Sequence, residues 1–272
     1  MKRKLIISII VFIIVLLFFT WQFIRHVKFL GNPEYHAIEI TLKEETVFST
    51  WFYWKSELFE RILPDKISRR LAIPYIVMHF GLGSVETLGG RTYNYVFIYL
   101  TVKVRNIKVG LLDQGEYILN FVSNSSYLDS LFKRYGIPHI YMKAVYIRTS
   151  TRLINHTYIR FDYPEGRPFI EILVETSELF VSSTRVHDIE RCLYYLNGGE
   201  NLTAIYLHGR CTSSYFSPYM AGVGGAYINI TVADGSEIWR YVRWKEYISW
   251  YHLNVVDLVG SYQGKIGWLE WN

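Results

Sequence analysis

Histidine and cysteine form the most compact grouping of reactive side chains in the 272 residues. HDIERC carries His187 and Cys192, and LHGRC carries His208 and Cys211. Brought together, the four could ligate zinc as a Cys2His2 set, although their spacing is not that of a familiar finger. Alternatively, Cys211 could be a nucleophile, with His156 or His208 as its base and Arg210 or Arg240 beside an oxyanion. In an exported chain an even cysteine count favours a disulfide. A Cys192–Cys211 bridge would close a loop of about twenty residues and contribute roughly 3 kcal/mol. The disulfide is the expectation drawn here, with no metal, cofactor or catalytic residue assigned.

Four sequons of the form N-x-[ST] point to the same compartment: Asn124, Asn155, Asn201 and Asn229. Each is an acceptor for N-glycosylation if it faces the outside of a membrane.

Other candidates carry less chemistry. Glu171 and Glu175 share a strand face and read as solvent-facing charges, while His139 and His252 sit among aromatics and read as structural. No H-E-x-x-H, C-x-x-C, Walker loop or nucleophile elbow occurs. The glycines of Gly81 to Gly90 and Gly222 to Gly225 lack phosphate-loop spacing. Anchor, size and a cysteine after a strand resemble a sortase, but Arg210 precedes the cysteine where sortases place arginine after it. No family is recognised.

The elements that must hold these residues begin with Leu5 to Ile24, twenty uncharged residues between Lys2, Arg3, Lys4 and Arg25, Lys28. As a helix they would span roughly 30 Å, a bilayer's hydrocarbon thickness. The run is long and its end is bulky, which favours an uncleaved anchor over a signal peptide. The expectation is a cytoplasmic stub and transmembrane anchor over 1–29, followed by an extracytoplasmic domain over 30–272.

Half the residues are hydrophobic, 17% aromatic and 19% charged, as in a folded protein. The net charge of +5 is mild and implies no nucleic-acid partner. Few Cys, Met and Gln are compatible with a thermophilic source.

Ala37 to Leu42 alternates as a strand, and Val47 to Leu63 has apolar residues at helical spacing. With a helical piece from Asp65 to Ala72, this predicts a membrane-proximal helical lobe over about 44–80. Period-two segments then predict strands at Tyr93 to Arg105, Glu116 to Val122, His139 to Arg148, Thr157 to Tyr163, Phe169 to Glu175, Ala204 to His208 and Tyr227 to Val232. Helices are predicted at Tyr127 to Tyr135, His187 to Leu196 and Glu237 to Leu253. Arg240, Arg243 and Lys245 would form the basic face of the last.

The sequence therefore predicts an α+β fold: a transmembrane helix, the helical lobe, and a mainly antiparallel sheet over about 90–272. The expected function is a single-pass glycoprotein that binds or assembles with other envelope components. Its partners would be the lipid bilayer, through residues 5–24, and envelope proteins. The alternative is an anchored extracytoplasmic hydrolase or thiol transpeptidase.

Overall fold

The structure, a computed structural model, describes residues 10–20, 38–54, 59–61, 63–68, 71–87, 89–109, 112–177, 181–197, 201–216, 226–236, 248–252 and 256–269. Helix α1 covers residues 10–20, helix α2 is Asp65–Ser68 and helix α3 is Ser126–Arg134. Residues 59–61 are also helical, and the other regular elements among the described residues are strands.

Strands β1 (Ile38–Trp54), β2 (Leu71–Glu86), β3 (Thr92–Val109) and β4 (Leu112–Ser123) form an antiparallel meander. The chain then leaves through α3 and β5 (Ile140–Tyr141), which pairs parallel to the end of β4. It builds a second antiparallel sheet from β6 (Lys143–Ser150), β7 (Asn155–Asp162), β8 (Pro168–Thr176) and, later, β11 (Ala226–Val232), in the order β11-β8-β7-β6. The hairpin of β9 (Val181–Asn197) and β10 (Asn201–Phe216) returns to the first sheet, β9 lying parallel to β4. Finally β12 (Ile248–His252) and β13 (Val256–Leu269) pair with the two halves of β1.

Because β1 also pairs with β2, the ring β1-β2-β3-β4-β9-β10-β13 closes on itself. A barrel of this size is filled by side chains or holds one small ligand, with no room for a second sheet. The four-stranded sheet must therefore pack outside, and Ile159, Phe161, Ile170, Ile172 and Val174 do pack with Ile76, Met78, Phe80, Ile98, Leu100 and Val102 in one buried cluster. The alternate residues of the same strands then face inward. Tyr95, Phe97, Tyr99, Ile118 and Phe121 form a second cluster with Leu193 and Ile205 from the β9–β10 wall. Fully burying each large apolar side chain contributes about 1.5–3 kcal/mol.

Helix α3 belongs to this inner cluster through Leu128, Leu131 and Phe132. It packs where β3 begins and β4 ends, and Thr203 Oγ1 near the start of β10 donates to the carbonyl of Tyr135, the helix C-cap. A nine-residue helix cannot enter so narrow a barrel, so it covers one mouth. Its ends are well made: Ser125 Oγ accepts from Leu128 N–H at 3.2 Å. At the other end Gly136, at φ 69°, lets Gly136 N–H and Ile137 N–H reach the carbonyls of Lys133 and Phe132.

Several expectations are corrected here. The helical lobe over about 44–80 gives way largely to strand: residues 47–54 are the second half of β1, paired with β2, and 71–80 lie in β2, which leaves helix among the described residues of this stretch at 59–61 and in α2. Phe48, Ser49 and Thr50 are consecutive and all buried, because the outer sheet covers one face of the strand and the barrel interior the other. Two-sided burial erases the period of two, and the remaining apolar pattern imitates a helix. His187 to Leu196 fails for the same reason, lying in β9 with neighbouring Leu193 and Tyr194 both buried. The fold is thus mostly β-sheet, with helix reduced to short pieces. Of the predicted helix Glu237 to Leu253, residues 248–252 are strand β12, while 237–247, with Arg240, Arg243 and Lys245, lie outside the described residues.

The anchor is corrected as well. Among the described residues no helix is long and apolar enough to cross a membrane. Helix α1, residues 10–20, reaches about 16 Å against the roughly 30 Å required; the rest of the run Leu5 to Ile24 lies outside the described residues. The expected bilayer contact through residues 5–24 and the extracytoplasmic location rested on that span and fall with it.

Candidate active site

Inside the barrel, a polar group interrupts the aromatic lining. Ser49, His79, Tyr99 and Phe121 are register partners across β1, β2, β3 and β4, so one row of inward positions crosses four strands. Ser49 Oγ lies 2.8 Å from His79 Nδ1, and the imidazole stacks on Tyr99 with ring centroids 4.6 Å apart. His79 Nε2 lies 3.2 Å from Glu116 Oε2, which also accepts from Thr101 Oγ1 at 3.1 Å. The other carboxylate oxygen, Oε1, accepts from Lys103 Nζ at 2.6 Å.

Burial gives these contacts weight. Ser49, His79, Thr101 and Glu116 are all buried, and only the Lys103 side chain, 32% exposed, reaches towards solvent. A carboxylate in such a place requires its donors, since an unpaired buried charge costs several kcal/mol. Donation from His79 Nε2 to Glu116 fixes the neutral ring's tautomer, leaving Nδ1 to accept from the Ser49 hydroxyl. Ser49, His79 and Glu116 thus form a continuous proton path that ends at an amine.

A β-bulge aims the carboxylate. Leu100 pairs with Asn120, but Thr101 pairs with Ile118, so Leu119 is an extra residue in β4. Without it Tyr117 would stand opposite Lys103; with it Glu116 does. Next to Glu116, Gly115 admits the Tyr194 ring, which lies where a β-carbon would be.

No family and no curated protein matches the sequence. Solved structures match the fold. Acetoacetate decarboxylase from Legionella pneumophila aligns with a TM-score of 0.53 at 13% identity, over 86% of this chain and 89% of that one. This chain has the fold of acetoacetate decarboxylase-like enzymes. An acetoacetate decarboxylase-like enzyme from Sphingomonas wittichii RW1 gives 0.51 at 9% identity, over 86% of this chain and 92% of its own. The enduracididine biosynthesis enzyme MppR complexed with pyruvate gives 0.51 at 10% identity, over 86% and 90%. The expected membrane-anchored assembly component has no counterpart in this likeness, which is to enzymes.

The residues singled out from sequence lie elsewhere. Across β9 and β10, Cys192 pairs with Tyr206 and Cys211 with His187, which sets the cysteines five positions apart. At about 3.3 Å per residue that is roughly 17 Å, far beyond disulfide reach, and the odd offset puts their α-carbons on opposite sides of the pleat. The expected disulfide is therefore corrected. The same register opposes His208 to Glu190, so the four zinc candidates divide into two pairs on two faces. Among the described residues no group of three or more His, Cys, Asp or Glu could hold a metal. Arg210 stands beside Cys211 on β10, opposite Asp188, whereas His156 is in the outer sheet, 3.3 Å from Glu175. Glu171 is held there by Tyr158 Oη at 2.6 Å, so both glutamates belong to a cross-strand polar face.

Among the sequons, Asn124 Oδ1 accepts from Val96 N–H at 2.8 Å and Asn155 Oδ1 from Ser150 Oγ. Asn229 is exposed on β11, and Asn201 opens β10. His139 does sit among aromatics, between Phe121 and Phe132.

Sequence reasoning missed Ser49, His79, Thr101, Lys103 and Glu116 as a site. Their one visible signal was polarity out of place: His79 in VMHFG and Lys103 in YLTVKV interrupt apolar runs. Charged or titratable groups inside a strand that should be buried are candidates for function.

Proposed function

We propose that this chain is an enzyme that activates a small carbonyl compound by forming an imine at Lys103. The observation that carries the proposal is the 2.6 Å contact between Lys103 Nζ and the buried carboxylate of Glu116, itself backed by His79 and Ser49. The names of the similar structures support it: acetoacetate and pyruvate are both small oxo acids.

A lysine amine attacks carbonyls only after losing its proton. Glu116 takes that proton. The amine adds to the carbonyl carbon, and the carbinolamine expels its hydroxyl as water, using the proton returned by Glu116. With a 3-oxo acid the protonated imine accepts the electron pair of the breaking bond to the carboxylate. Carbon dioxide leaves, the enamine carbon is protonated, and water releases the ketone and regenerates Lys103. His79 and Ser49 hold Glu116 in place and pass protons along their hydrogen bonds.

Borohydride reduction in the presence of acetoacetate or pyruvate, followed by peptide mapping, tests this. A reduced adduct on Lys103, absent in Lys103→Met, is expected. No adduct, or labelling of other lysines unchanged in Lys103→Met, overturns it.

A further inference from the structure

A second buried relay lies under the helix that covers the barrel mouth. His139 Nδ1 is 2.9 Å from Asp129 Oδ1 on α3, and His139 Nε2 is 2.8 Å from Ser123 Oγ on β4. Asp129 Oδ2 in turn binds Lys133 Nζ at 2.6 Å, one helical turn on. Ser123 Oγ also accepts from Ser125 N–H at 3.3 Å, where the chain turns from β4 into α3.

The order serine, histidine, aspartate is that of a hydrolase, but neither Ser123 nor the ring of His139 has any solvent exposure. What a sealed relay can do is respond to a proton. In the neutral ring Nδ1–H donates to Asp129 and Nε2 accepts from the Ser123 hydroxyl, so one imidazole ties α3 to β4. A second ring proton, on Nε2, would turn that nitrogen into a donor and force the Ser123 hydroxyl hydrogen to find another acceptor in a buried site.

We propose that His139 is an acid-sensitive latch: the neutral ring holds α3 over the barrel mouth, and its protonation releases the helix.

The groups acting on the ring are accounted for. From α3 come Asp129, which favours the charged ring, Lys133, which opposes it, and the face of Phe132. From β4 come Ser123 and the ring of Phe121. Burial outweighs Asp129, so the ring titrates below its ordinary value of about 6.5. Between that lowered value and 6.5 the opened helix binds more protons than the closed one. Opening is therefore favoured as pH falls, by at most about tenfold per pH unit for one proton. Lys103 lies seven positions along β3 from Val96, where the chain turns into the helix, so the latch stands or falls without the imine chemistry.

Hydrogen exchange of the full chain at pH 7.5 and 5.5, corrected for intrinsic rates, tests it. Amides of residues 126–135 should open several-fold more at pH 5.5, while those of β2 and β3 stay protected. His139→Gln should flatten the dependence; Ser123→Ala should raise opening at pH 7.5 and keep the slope. A pH-independent wild type, an unchanged slope in His139→Gln, or exposure of the whole barrel together overturns the latch. Should His139→Gln not fold, an NMR titration of the wild-type ring decides: a pKa at or above 6.5 overturns it.

Discussion

Lys103 stands opposite Glu116, Nζ to Oε1 at 2.6 Å, because β4 carries one residue more than β3 beside them. The pair is asymmetric in burial, with Lys103 one-third exposed and Glu116 nearly closed off. Removing the lysine therefore leaves a buried carboxylate short of its charged donor, while removing the carboxylate's charge leaves the ammonium its access to water.

Glu116→Gln keeps the volume and an acceptor for His79 but cannot take the lysine proton. Loss of a positioned proton acceptor slows such steps by about 10² or more. Borohydride trapping at Lys103 should slow by that order, with unfolding in urea changed by about 1–2 kcal/mol. Lys103→Met should cost about 2 kcal/mol, a buried-pair value reduced for partial exposure. The double variant should cost less than the sum of the singles. Additive losses in urea would mean that the two side chains do not act as a pair.

Much of the fold could be read locally and little of the site. The predicted helix Tyr127 to Tyr135 matches α3 within a residue, since a capped, amphipathic segment announces itself without tertiary help. Strands with one wet face, such as Thr157 to Tyr163, alternate and were found. The second half of β1 and the later part of β9, where neighbouring residues are both buried, carry a pattern that imitates a helix. Barrel closure joins residues 38–47 to 258–266, a pairing no local pattern contains. The site depends on that closure: five residues from four strands meet through register, and one of them depends on a bulge. The two cysteines, conspicuous as letters, are held five positions apart by the β9–β10 register, which no local pattern contains.

Gly115 is fixed by its neighbour. A β-carbon there would meet Tyr194 Cε2 at 1.7 Å, and Tyr194 is fully buried with no room to withdraw. Gly115→Ala should thus cost at least the about 1–3 kcal/mol typical of overpacking, read as a lower urea midpoint. Because Glu116 follows directly, imine trapping at Lys103 should fall as well. A double variant, Gly115→Ala with Tyr194→Ala, relieves the clash at the expense of a cavity; recovered trapping with low stability would separate the two effects.

Asp129 and His139 titrate against each other, and the signs can be separated. Burial alone would raise the Asp129 pKa, but hydrogen bonds from Lys133 and His139 and their charges prevail and hold it below 3.8. Asp129 therefore contributes stability that is present above the ordinary carboxylate range and lost as pH falls through its lowered value. His139 acts in a higher window: burial lowers its pKa despite Asp129, so its contribution is complete above about 6.5 and declines as pH falls through 6.5 towards the lowered value. Asp129→Asn removes the one attraction that favours the charged ring. The His139 pKa, followed by imidazole NMR, should fall further in that variant, and the loss of stability near pH 6 should continue to lower pH. An upward shift would mean that Lys133, freed from Asp129, turns away from the ring, and that helix charge rather than burial sets the titration.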